Sequence, residues 1–600
     1  MSLGLWPAQA NVMIPPVRVI DRIEQVDYSI ENILVETWPR FFIGANLYLP
    51  QDTSHPHPAI LIPHGHWPLG RLQDDPDVAE AAPGHPPAAG GCSHLAIGAN
   101  FARLGFVALL YDMVGYNDSS QMPHRLEIDA GDQLWGVSLM GFQTWNSQRV
   151  LDYLSSRPEV DSSRIGLTGA SGGASQSLML AAVDERIQAM VPVNMVSAHM
   201  QGGCICENAP GLRLDTSNVE IAALFAPKPM RLIAATGDWT CNTPVIEGPA
   251  IQKIYQLLGA EEKFDWLQFN YEHNYNHVSR MAAYRWFQRW LQGIENDDAA
   301  EMPHCIEPVG KLQCTKQNFI GKHPLSAVKL KRSLKIAISK GLPSPIGSDT
   351  PLDNKAKRLY RTAFQHLFAY RYHDWMCELP AGKNSGPIKA WDGERFVGGY
   401  FETGKISHDA CPNSLMLVYP EGDLALDLKD PEIIAPKRLL LPVGLCDTDK
   451  DEQDVFFTTY NRTQTIRHVT VITNAIEGLS RRVHRPVDLI GIGGTGALVL
   501  LAAAIVSERV RSLAVDMEFF KVRNEKSYQD RLFVPGILRF GDLKMAALLL
   551  SPKPLHLYQC NPGEWRLVRK HYKDINCSNR LLISQKPLTI NSAARLSFVN

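Results

Sequence analysis

The chain has 600 residues, of which 45% are apolar and 20% are charged, and its formal net charge at pH 7 is -2. This length exceeds what one hydrophobic core usually supports, so two or more domains are expected. The small net charge gives no electrostatic reason to expect nucleic acid or an anionic membrane as a partner. No apolar run is long enough to span a bilayer, and no signal peptide is visible at the N-terminus. The default expectation is a cytoplasmic protein, with an exported and trimmed form left open.

The 11 cysteines are neither dense nor arranged in paired C-x-x-C units, so no metal is expected. Cys204-Ile205-Cys206 is too closely spaced for an ordinary zinc knuckle. The sequence favours a packing role for these two cysteines, or a disulfide with a distant partner such as Cys241. No organic cofactor is expected either.

The first part of the chain alternates apolar strands with helices. Residues 58–63 form an apolar run typical of a sheet buried on both faces, and the loop His-Gly-His-Trp follows at 64–67. A Pro-, Gly- and Ala-rich insertion at 69–94 is predicted to be a surface loop near the site. A helix at 95–104 and a strand at 106–111 come next. This alternation predicts an α/β fold with a mainly parallel sheet and helices on both faces.

A G-x-S-x-G pentapeptide centred on Ser171 lies between an apolar strand and a predicted helix. This order is typical of a nucleophile elbow, a tight turn that exposes a serine hydroxyl above the end of a sheet. Gly169 and Gly173 are required because a side chain there would collide with the neighbouring strand or helix. The flanking elements, more than the pentapeptide, favour a catalytic serine over a plain Gly/Ser turn.

An acid and a histidine follow later strands in the order that the elbow requires. Asp238 comes after the predicted strand 227–235, and His273 comes after the strand 264–269. The order Ser171, Asp238, His273 is that of an α/β-hydrolase triad, in which the histidine takes the serine proton and the acid orients the imidazole. His277 is the competing base, but it sits beside the last helix and is predicted to cap it.

Two backbone amides are predicted to form the oxyanion hole. Gly172 follows the nucleophile and begins the helix, and His66 lies in the loop after the strand 58–63. Gly65 lets the backbone of that loop turn inward. The alternative is that His64 and His66 only cap a loop.

Several longer motifs resemble those of the bacterial acetyl-xylan-esterase-like α/β-hydrolases, over residues 40–293. They are Pro63-His64-Gly65-His66-Trp67, Asp112-Met113-Val114-Gly115-Tyr116, the stretches 194–204 and 207–213, Gly237-Asp238-Trp239-Thr240 and Glu272-His273-Asn274-Tyr275-Asn276. The resemblance implies an α/β-hydrolase fold and a serine esterase that removes small acyl groups, such as acetyl, from carbohydrate.

Within those motifs, five residues are candidates for binding the substrate. Trp67, Trp239 and Tyr275 would stack on a sugar ring if they line the pocket, and each would equally serve as core packing. Glu207 and Arg213 would bind sugar hydroxyls, or would hold a lid through an ion pair. The two interpretations of this loop stay open at the sequence level.

The expected domains are a catalytic one at 1–297, a linker at 298–325 and a second domain at 326–600. The second contains a G-x-G-x-x-G at 491–496, with Asp516 following Gly493 by 516 - 493 = 23 positions. Alone, this pattern would indicate a dinucleotide-binding Rossmann unit. Such a unit normally begins its domain, whereas this motif lies behind several strands.

The favoured alternative is an internal repeat of the first half, a divergent α/β-hydrolase-like domain. In it Gly493 takes the nucleophile position, Gly563 lies near the Asp238 position, and Gly422 follows Glu421 as Gly65 follows His64. No histidine loop corresponds to that of His273. This domain is therefore expected to be catalytically inactive and to shape the cleft, bind polysaccharide or mediate homo-oligomerisation.

Together these patterns predict a serine carboxylester hydrolase that works through an acyl-enzyme on a carbohydrate or other small ester. A peptidase or thioesterase would use the same triad. A binding protein with a vestigial site is the non-enzymatic alternative.

Overall fold

The computed structural model describes residues 2–5, 13–75, 91–295, 301–304, 307–315, 325–341, 352–373, 376–378, 385–392, 396–403, 414–420, 437–443 and 451–588. Contacts divide the chain into two compact units. The N-terminal unit comprises residues 8–127 and 138–333, and the C-terminal unit comprises residues 1–7, 128–137 and 334–600.

The strands, in chain order, are β1 (Val17–Glu24), β2 (Tyr28–Trp38), β3 (Phe41–Pro50), β4 (His57–Pro63), β5 (Val107–Tyr111), β6 (Val160–Ala170), β7 (Ile187–Val193), β8 (Met230–Ala235), β9 (Phe264–Phe269), β10 (Cys377–Glu378), β11 (Ser385–Trp391), β12 (Phe396–Thr403), β13 (Ser414–Pro420), β14 (Lys437–Val443), β15 (Val487–Gly491), β16 (Val510–Asp516), β17 (Leu555–Tyr558) and β18 (Leu581–Ile583).

The helices are α1 (His94–Arg103), α2 (Ala130–Leu134), α3 (Leu139–Ser156), α4 (Gly172–Val183), α5 (Asn218–Ala223), α6 (Glu247–Leu257), α7 (His277–Phe287), α8 (Val309–Leu312), α9 (Ala327–Gly341), α10 (Asn354–Leu367), α11 (Val455–Tyr460), α12 (Gln464–Val483), α13 (Gly496–Ile505), α14 (Glu525–Arg531), α15 (Asp542–Leu550) and α16 (Arg566–Asp574). Among the residues described, no helix is both long and apolar enough to cross a membrane.

The N-terminal unit is built on a nine-stranded sheet with the order β1-β2-β3-β5-β4-β6-β7-β8-β9. The pairs β1–β2, β2–β3 and β3–β5 are antiparallel, and every later pair is parallel. All residues of β4 and β5 are buried, as expected for central strands covered on both faces. The structure confirms the predicted mainly parallel sheet, and β1, β2 and β3 form an antiparallel edge beside it.

Helices cover both faces of this sheet. On one face, Ile60 and Leu110 pack in a common core with Phe101 of α1 and Phe287 of α7. On the other face, α3 and α4 pack against each other and against β6. Capping side chains fix where two of these helices begin, since Ser93 accepts a hydrogen bond at the start of α1 and Ser138 at the start of α3.

The C-terminal unit repeats this architecture. Its nine strands follow the order β10-β11-β12-β14-β13-β15-β16-β17-β18, which is the N-terminal order displaced by nine strands. The first three pairings are again antiparallel and the remainder parallel. The glycine-rich motif therefore follows the sixth strand of its sheet, not the first. This order supports the divergent hydrolase-like fold over the Rossmann unit.

The structure divides the chain differently from the sequence-based boundaries. Described parts of the expected linker pack on the N-terminal unit: Leu312 is fully buried, and Asn46 Nδ2 donates to its carbonyl at 2.9 Å. Residues 128–137 belong to the C-terminal unit, where Trp135 Nε1 donates to Glu525 Oε1 at 2.7 Å. Nothing in local composition reveals such an insertion. Most of the insertion predicted at 69–94, residues 76–90, and the Glu421-Gly422 pair lie outside the described residues.

Candidate active site

Ser171 occupies a strained turn between a buried strand and a helix. β6 ends at Ala170, α4 begins at Gly172, and the serine between them has φ of 57° and ψ of -126°. A positive φ is uncommon for a residue with a side chain and persists only where its surroundings impose it. Here the Ser171 amide donates to the carbonyl of Val193 at 3.0 Å. The turn predicted from the G-x-S-x-G pattern is therefore present.

The glycines around Ser171 allow backbone segments to approach closely. A Cβ added at Gly169 would lie 2.6 Å from the carbonyl oxygen of Pro63, and one at Gly173 would lie 2.3 Å from the same atom. A Cβ at Gly65 would lie 2.4 Å from the Trp67 ring and 3.0 Å from Cβ of Ser171. The loop 64–67 is consequently packed directly against the elbow.

Asp238 and His273 form a hydrogen-bonded pair. His273 Nδ1 lies 2.8 Å from Asp238 Oδ2, and the acid side chain is 2% exposed whereas that of the histidine is 28% exposed. The other carboxylate oxygen, Oδ1, accepts hydrogen bonds from the amide and the hydroxyl of Thr240 at 2.7 and 2.5 Å. Asp238 is thereby fixed, and the Nε2 edge of the imidazole is left for chemistry.

Two indole rings flank this imidazole. The centroid of Trp239 lies 4.4 Å from that of His273, and Trp67 lies 6.3 Å away with its ring within 3° of parallel. Trp67 also packs against Gly65, and Gly65 in turn packs against Ser171. The three triad candidates therefore follow β6, β8 and β9 at one edge of the sheet, where open α/β sheets place their sites.

His277 occupies a different environment. It is the first residue of α7, and the preceding Asn276 accepts a hydrogen bond from the Ser279 amide. Its imidazole Nδ1 faces Glu301 Oε1 at 3.7 Å. His277 lies at the start of the helix, but the prediction that it caps the helix is wrong, because Asn276 supplies the capping oxygen.

The candidate oxyanion-hole residues lie against each other. Gly172 is the first residue of α4, so its N–H has no acceptor within the helix. The imidazole of His66 packs against the Cα of Gly172, since a Cβ added there would lie 2.8 Å from His66 Cε1. The neighbouring His64 is buried and accepts a hydrogen bond from the Met113 amide at 3.0 Å, and burial lowers the pKa of its imidazole. A neutral His64 anchors the loop that carries His66.

Three of the five substrate-binding candidates are structural. Tyr275 is fully buried, and its hydroxyl lies 2.7 Å from Thr168 Oγ1, so it offers no surface to a sugar. Glu207 and Arg213 are each 3% exposed. Glu207 accepts a hydrogen bond from Ser175 at 2.9 Å, and Arg213 donates to the Glu207 carbonyl at 3.0 Å. The expectation that these three residues touch substrate is wrong, because their polar groups hold the interior together.

The cysteines also differ from expectation. Cys204, Cys206 and Cys241 are all free thiols, so the disulfide considered from the sequence is not formed. Instead, the Sγ atoms of Cys204 and Cys206 and one ring nitrogen each of His66 and His124 lie within 4.8 Å of one another. Local sequence patterns do not group these residues, because they come from three separate loops. These four residues are the candidate metal ligands of the described chain, contrary to the expectation of none.

The N-terminal part of the chain is similar in sequence to known hydrolases. A family model described as X-Pro dipeptidyl-peptidase (S15 family) matches residues 42–284. A protein from Bacillus subtilis (strain 168) whose name describes it as a hydrolase, YtaP, is 26% identical over 316 residues, covering 48% of this chain and 96% of its own length. The elbow, the sheet order and these matches agree on the fold. It is the α/β-hydrolase fold.

Two solved structures that are similar to this chain are named as esterases. A methylesterase is 26% identical to it, with a TM-score of 0.47, covering 56% of this chain and 73% of its own. An acetyl xylan esterase from Paenibacillus sp. R4 is 17% identical, with a TM-score of 0.33, covering 48% of this chain and 92% of its own.

The C-terminal unit of the hydrolase keeps the elbow without the serine. Gly493 follows β15, the counterpart of β6, and has φ of 56°, against 57° for Ser171. β17 is the counterpart of β8. β8 begins at Met230, which pairs with Met190, and β17 begins at Leu555, which pairs with Leu513. The two strand starts are 555 - 230 = 325 positions apart, so the residue equivalent to Asp238 is residue 563, which is a glycine.

Proposed function

We propose that this hydrolase is a serine carboxylester hydrolase whose N-terminal unit de-esterifies carbohydrate. The observation that carries the proposal is the hydrogen-bonded His273–Asp238 pair, whose members follow β9 and β8 as Ser171, held at a positive φ, follows β6. The three residues have the chain order that acyl-transfer chemistry of this fold uses.

In the first half-reaction, Ser171 Oγ attacks the ester carbonyl while His273 Nε2 removes the hydroxyl proton. Asp238 accepts the hydrogen bond from Nδ1, holds the ring in the tautomer that leaves Nε2 unprotonated, and stabilises the imidazolium that forms. Collapse of the tetrahedral intermediate breaks the ester C–O bond. The alcohol leaves with the proton from His273, and the acyl group remains on Ser171.

In the second half-reaction, a water molecule gives its proton to His273 Nε2 and attacks the acyl-enzyme. The acid is released and Ser171 regains its proton. In both steps the negative charge on the former carbonyl oxygen is stabilised by the N–H groups of Gly172 and His66. The positive end of α4 adds to this stabilisation, because the helix begins at Gly172.

The substrate class follows from the aromatic surfaces around His273. Trp67 and Trp239 are partly exposed and flank the imidazole, where the alcohol portion of an ester would leave. A sugar would stack on the exposed part of an indole face.

The decisive experiment combines covalent labelling with substrate release. A fluorophosphonate probe should label the full-length chain rapidly and Ser171→Ala not at all. Release of acid from acetylated and methyl-esterified sugars should be fast in the wild type and absent in the same variant. Equal labelling of the two proteins, or no turnover of any ester by the labelled wild type, would contradict the proposal. His277→Gln serves as a matched control outside the triad.

A peptidase is the second candidate, because the matching family model is named for X-Pro dipeptidyl-peptidases. The same triad attacks an amide, and the difference lies in protonation of the leaving amine. X-Pro dipeptide anilides, tested beside the sugar esters and a thioester of the same acid, would separate the activities. Faster turnover of the anilide, measured as kcat/KM, would favour the peptidase.

We also propose that the C-terminal unit is catalytically inactive. Its elbow carries Gly493, which has no side chain, and Gly563 occupies the position of the triad acid. His273 lies nine positions after Phe264, the first residue of β9. Nine positions after Leu581, the first residue of the equivalent strand β18, the sequence has Ile590, which lies beyond the last described residue. Residues 572–600 contain no histidine. All three triad positions therefore lack the required groups.

A further inference from the structure

Four potential ligand atoms from three loops converge beside the elbow. His66 Nε2 lies 3.1 Å from His124 Nε2 and 3.1 Å from Cys206 Sγ, and Cys204 Sγ lies 3.6 Å from His124 Nε2. All four atoms lie within 4.8 Å of one another. None of these side-chain groups has a role in the proposed acyl transfer, in which only the backbone amide of His66 takes part.

His124 presents a lone pair to the centre of this cluster. Its Nδ1 lies 2.7 Å from the carbonyl oxygen of Val114, which only accepts, so Nδ1 carries the hydrogen and Nε2 carries a lone pair. His66 Nε2 faces both that lone pair and the sulfur of Cys206. A cation at the centre would accept a lone pair from each of the four atoms.

Three of the six separations between the ligand atoms are given by individual contacts, and these three fit a tetrahedral metal ion. With Zn–N near 2.0 Å and Zn–S near 2.3 Å, the edges of the coordination tetrahedron are about 3.3 Å for N···N and about 3.5 Å for N···S. The observed separations of 3.1 Å between the imidazoles, and of 3.1 and 3.6 Å between imidazole and thiol, lie within a few tenths of an ångström of those edges. Two sulfur and two nitrogen ligands form a set that Zn²⁺ prefers over harder cations.

Outer contacts hold the ligands in place. The carboxylate of Glu207 accepts hydrogen bonds from the amides of Gly203 and Cys204 at 3.1 and 3.2 Å, which shapes the Cys-x-Cys turn. Gln176 Nε2 on α4 donates to the Cys206 carbonyl at 3.1 Å. Such second-layer contacts are what orient ligands in established metal sites. The Val114 carbonyl does the same for His124.

We propose that His66, His124, Cys204 and Cys206 bind one Zn²⁺ ion, or another thiophilic divalent cation, in a closed structural site. Four protein ligands fill a tetrahedron and leave no position for water or substrate, so the ion has no part in the chemical steps. Binding replaces the two thiol protons with the metal and fixes the loops that begin at His64, Asp112 and Asn194. Because the His66 imidazole lies over Gly172, the site also fixes the backbone beside the elbow.

Metal content and Co²⁺ spectroscopy on the full-length chain test the site without reference to activity. The wild type should contain about one Zn²⁺ per chain after reconstitution and dialysis. The Co²⁺ form should show tetrahedral ligand-field bands together with a thiolate-to-metal charge-transfer band. Cys204→Ser combined with Cys206→Ser should lose both signals, and Cys241→Ser, which alters an exposed free thiol, should keep them.

Two results would overturn the inference. One is a reconstituted wild type that holds far less than one Zn²⁺ per chain and shows no thiolate charge transfer with Co²⁺. The other is equal metal content in the wild type and in a folded double-serine variant, with circular dichroism establishing the fold. If that variant does not fold, the wild-type Co²⁺ spectrum still decides, since it requires no substitution. The test is independent of the esterase proposal, because it measures no turnover.

Discussion

The Nδ1 atom of His273 lies 2.8 Å from Oδ2 of Asp238, while Oδ1 of the same carboxylate accepts two hydrogen bonds from Thr240. The acid cannot rotate without breaking the contacts to Thr240, so it holds one orientation of the imidazole. This arrangement dictates which ring nitrogen carries the proton. The proposed mechanism depends on that assignment.

Asp238→Asn should lower kcat by about 10⁴-fold, because an amide can donate to Nδ1 and so favour the wrong tautomer. KM should change little, since the volume and packing of the side chain are kept. Glu272→Gln is the matched control, because it neutralises the exposed acid next to His273. Steady-state kinetics on a sugar ester measure both constants. A fall of less than about tenfold in Asp238→Asn would remove Asp238 from the triad.

Gly65→Ala should abolish most of the activity. Its Cβ would lie 2.7 Å from the backbone oxygen of Ala170, immediately before Ser171, and 2.4 Å from the Trp67 ring. The loop or the elbow must move, and a displacement near 1 Å costs about 10²-fold in rate. Gly310→Ala is the control, since nothing lies within 4 Å of a Cβ there. Near wild-type kcat/KM in Gly65→Ala would mean that this loop does not shape the site.

The sequence predicted those parts of the site that depend on chain order. Ser171, Asp238 and His273 each follow an apolar strand, and strand ends can be read from local pattern. It did not predict burial of Glu207, Arg213 and Tyr275, since charged and aromatic residues in loops give no local sign of internal partners. Nor did it group His124 with Cys204. That contact depends on how separate loops fold back onto one sheet edge.

Tyr275→Phe tests the reassignment of a predicted substrate contact. The Tyr275 hydroxyl lies 2.7 Å from Thr168 Oγ1 in the interior, so its removal should lower the free energy of unfolding by about 1 kcal/mol and leave KM unchanged. Trp239→Phe, which reduces the aromatic surface next to His273, should raise KM for sugar esters instead. Denaturant unfolding and steady-state kinetics give the two quantities. An increase of KM in Tyr275→Phe would return this residue to the substrate surface.

Glu301 should stabilise the N-terminal unit in a pH-dependent way. Burial by itself would raise the pKa of its carboxyl, but two hydrogen bonds from Arg280, at 2.7 and 2.8 Å, together with the nearby charge lower it. A carboxyl with a lowered pKa in the folded state contributes stability above its ordinary pKa of 4.5, and loses it as pH falls through the folded value.

Glu301→Gln should therefore cost about 2 kcal/mol of unfolding free energy at neutral pH, and the difference from wild type should shrink below pH 4.5. Glu295→Gln is the control, because that side chain is 81% exposed and its pairing with Arg289 is long, at 3.7 Å. Urea unfolding at several pH values measures both variants. A difference that stays constant across the acid range would show that ionisation of Glu301 is not its source.

Gly493→Ser should place a serine on the second elbow without creating a second active site. The backbone at Gly493 has a φ of 56°, close to the 57° that Ser171 adopts in the first elbow. The new hydroxyl would lack both a base and an acid, since Gly563 stands at the position of the acid and residues 572–600 contain no histidine. Introduced together with Ser171→Ala, it should leave the chain unlabelled by a fluorophosphonate and inactive on every ester. Labelling that maps to position 493 would show that the C-terminal unit supplies a base from elsewhere.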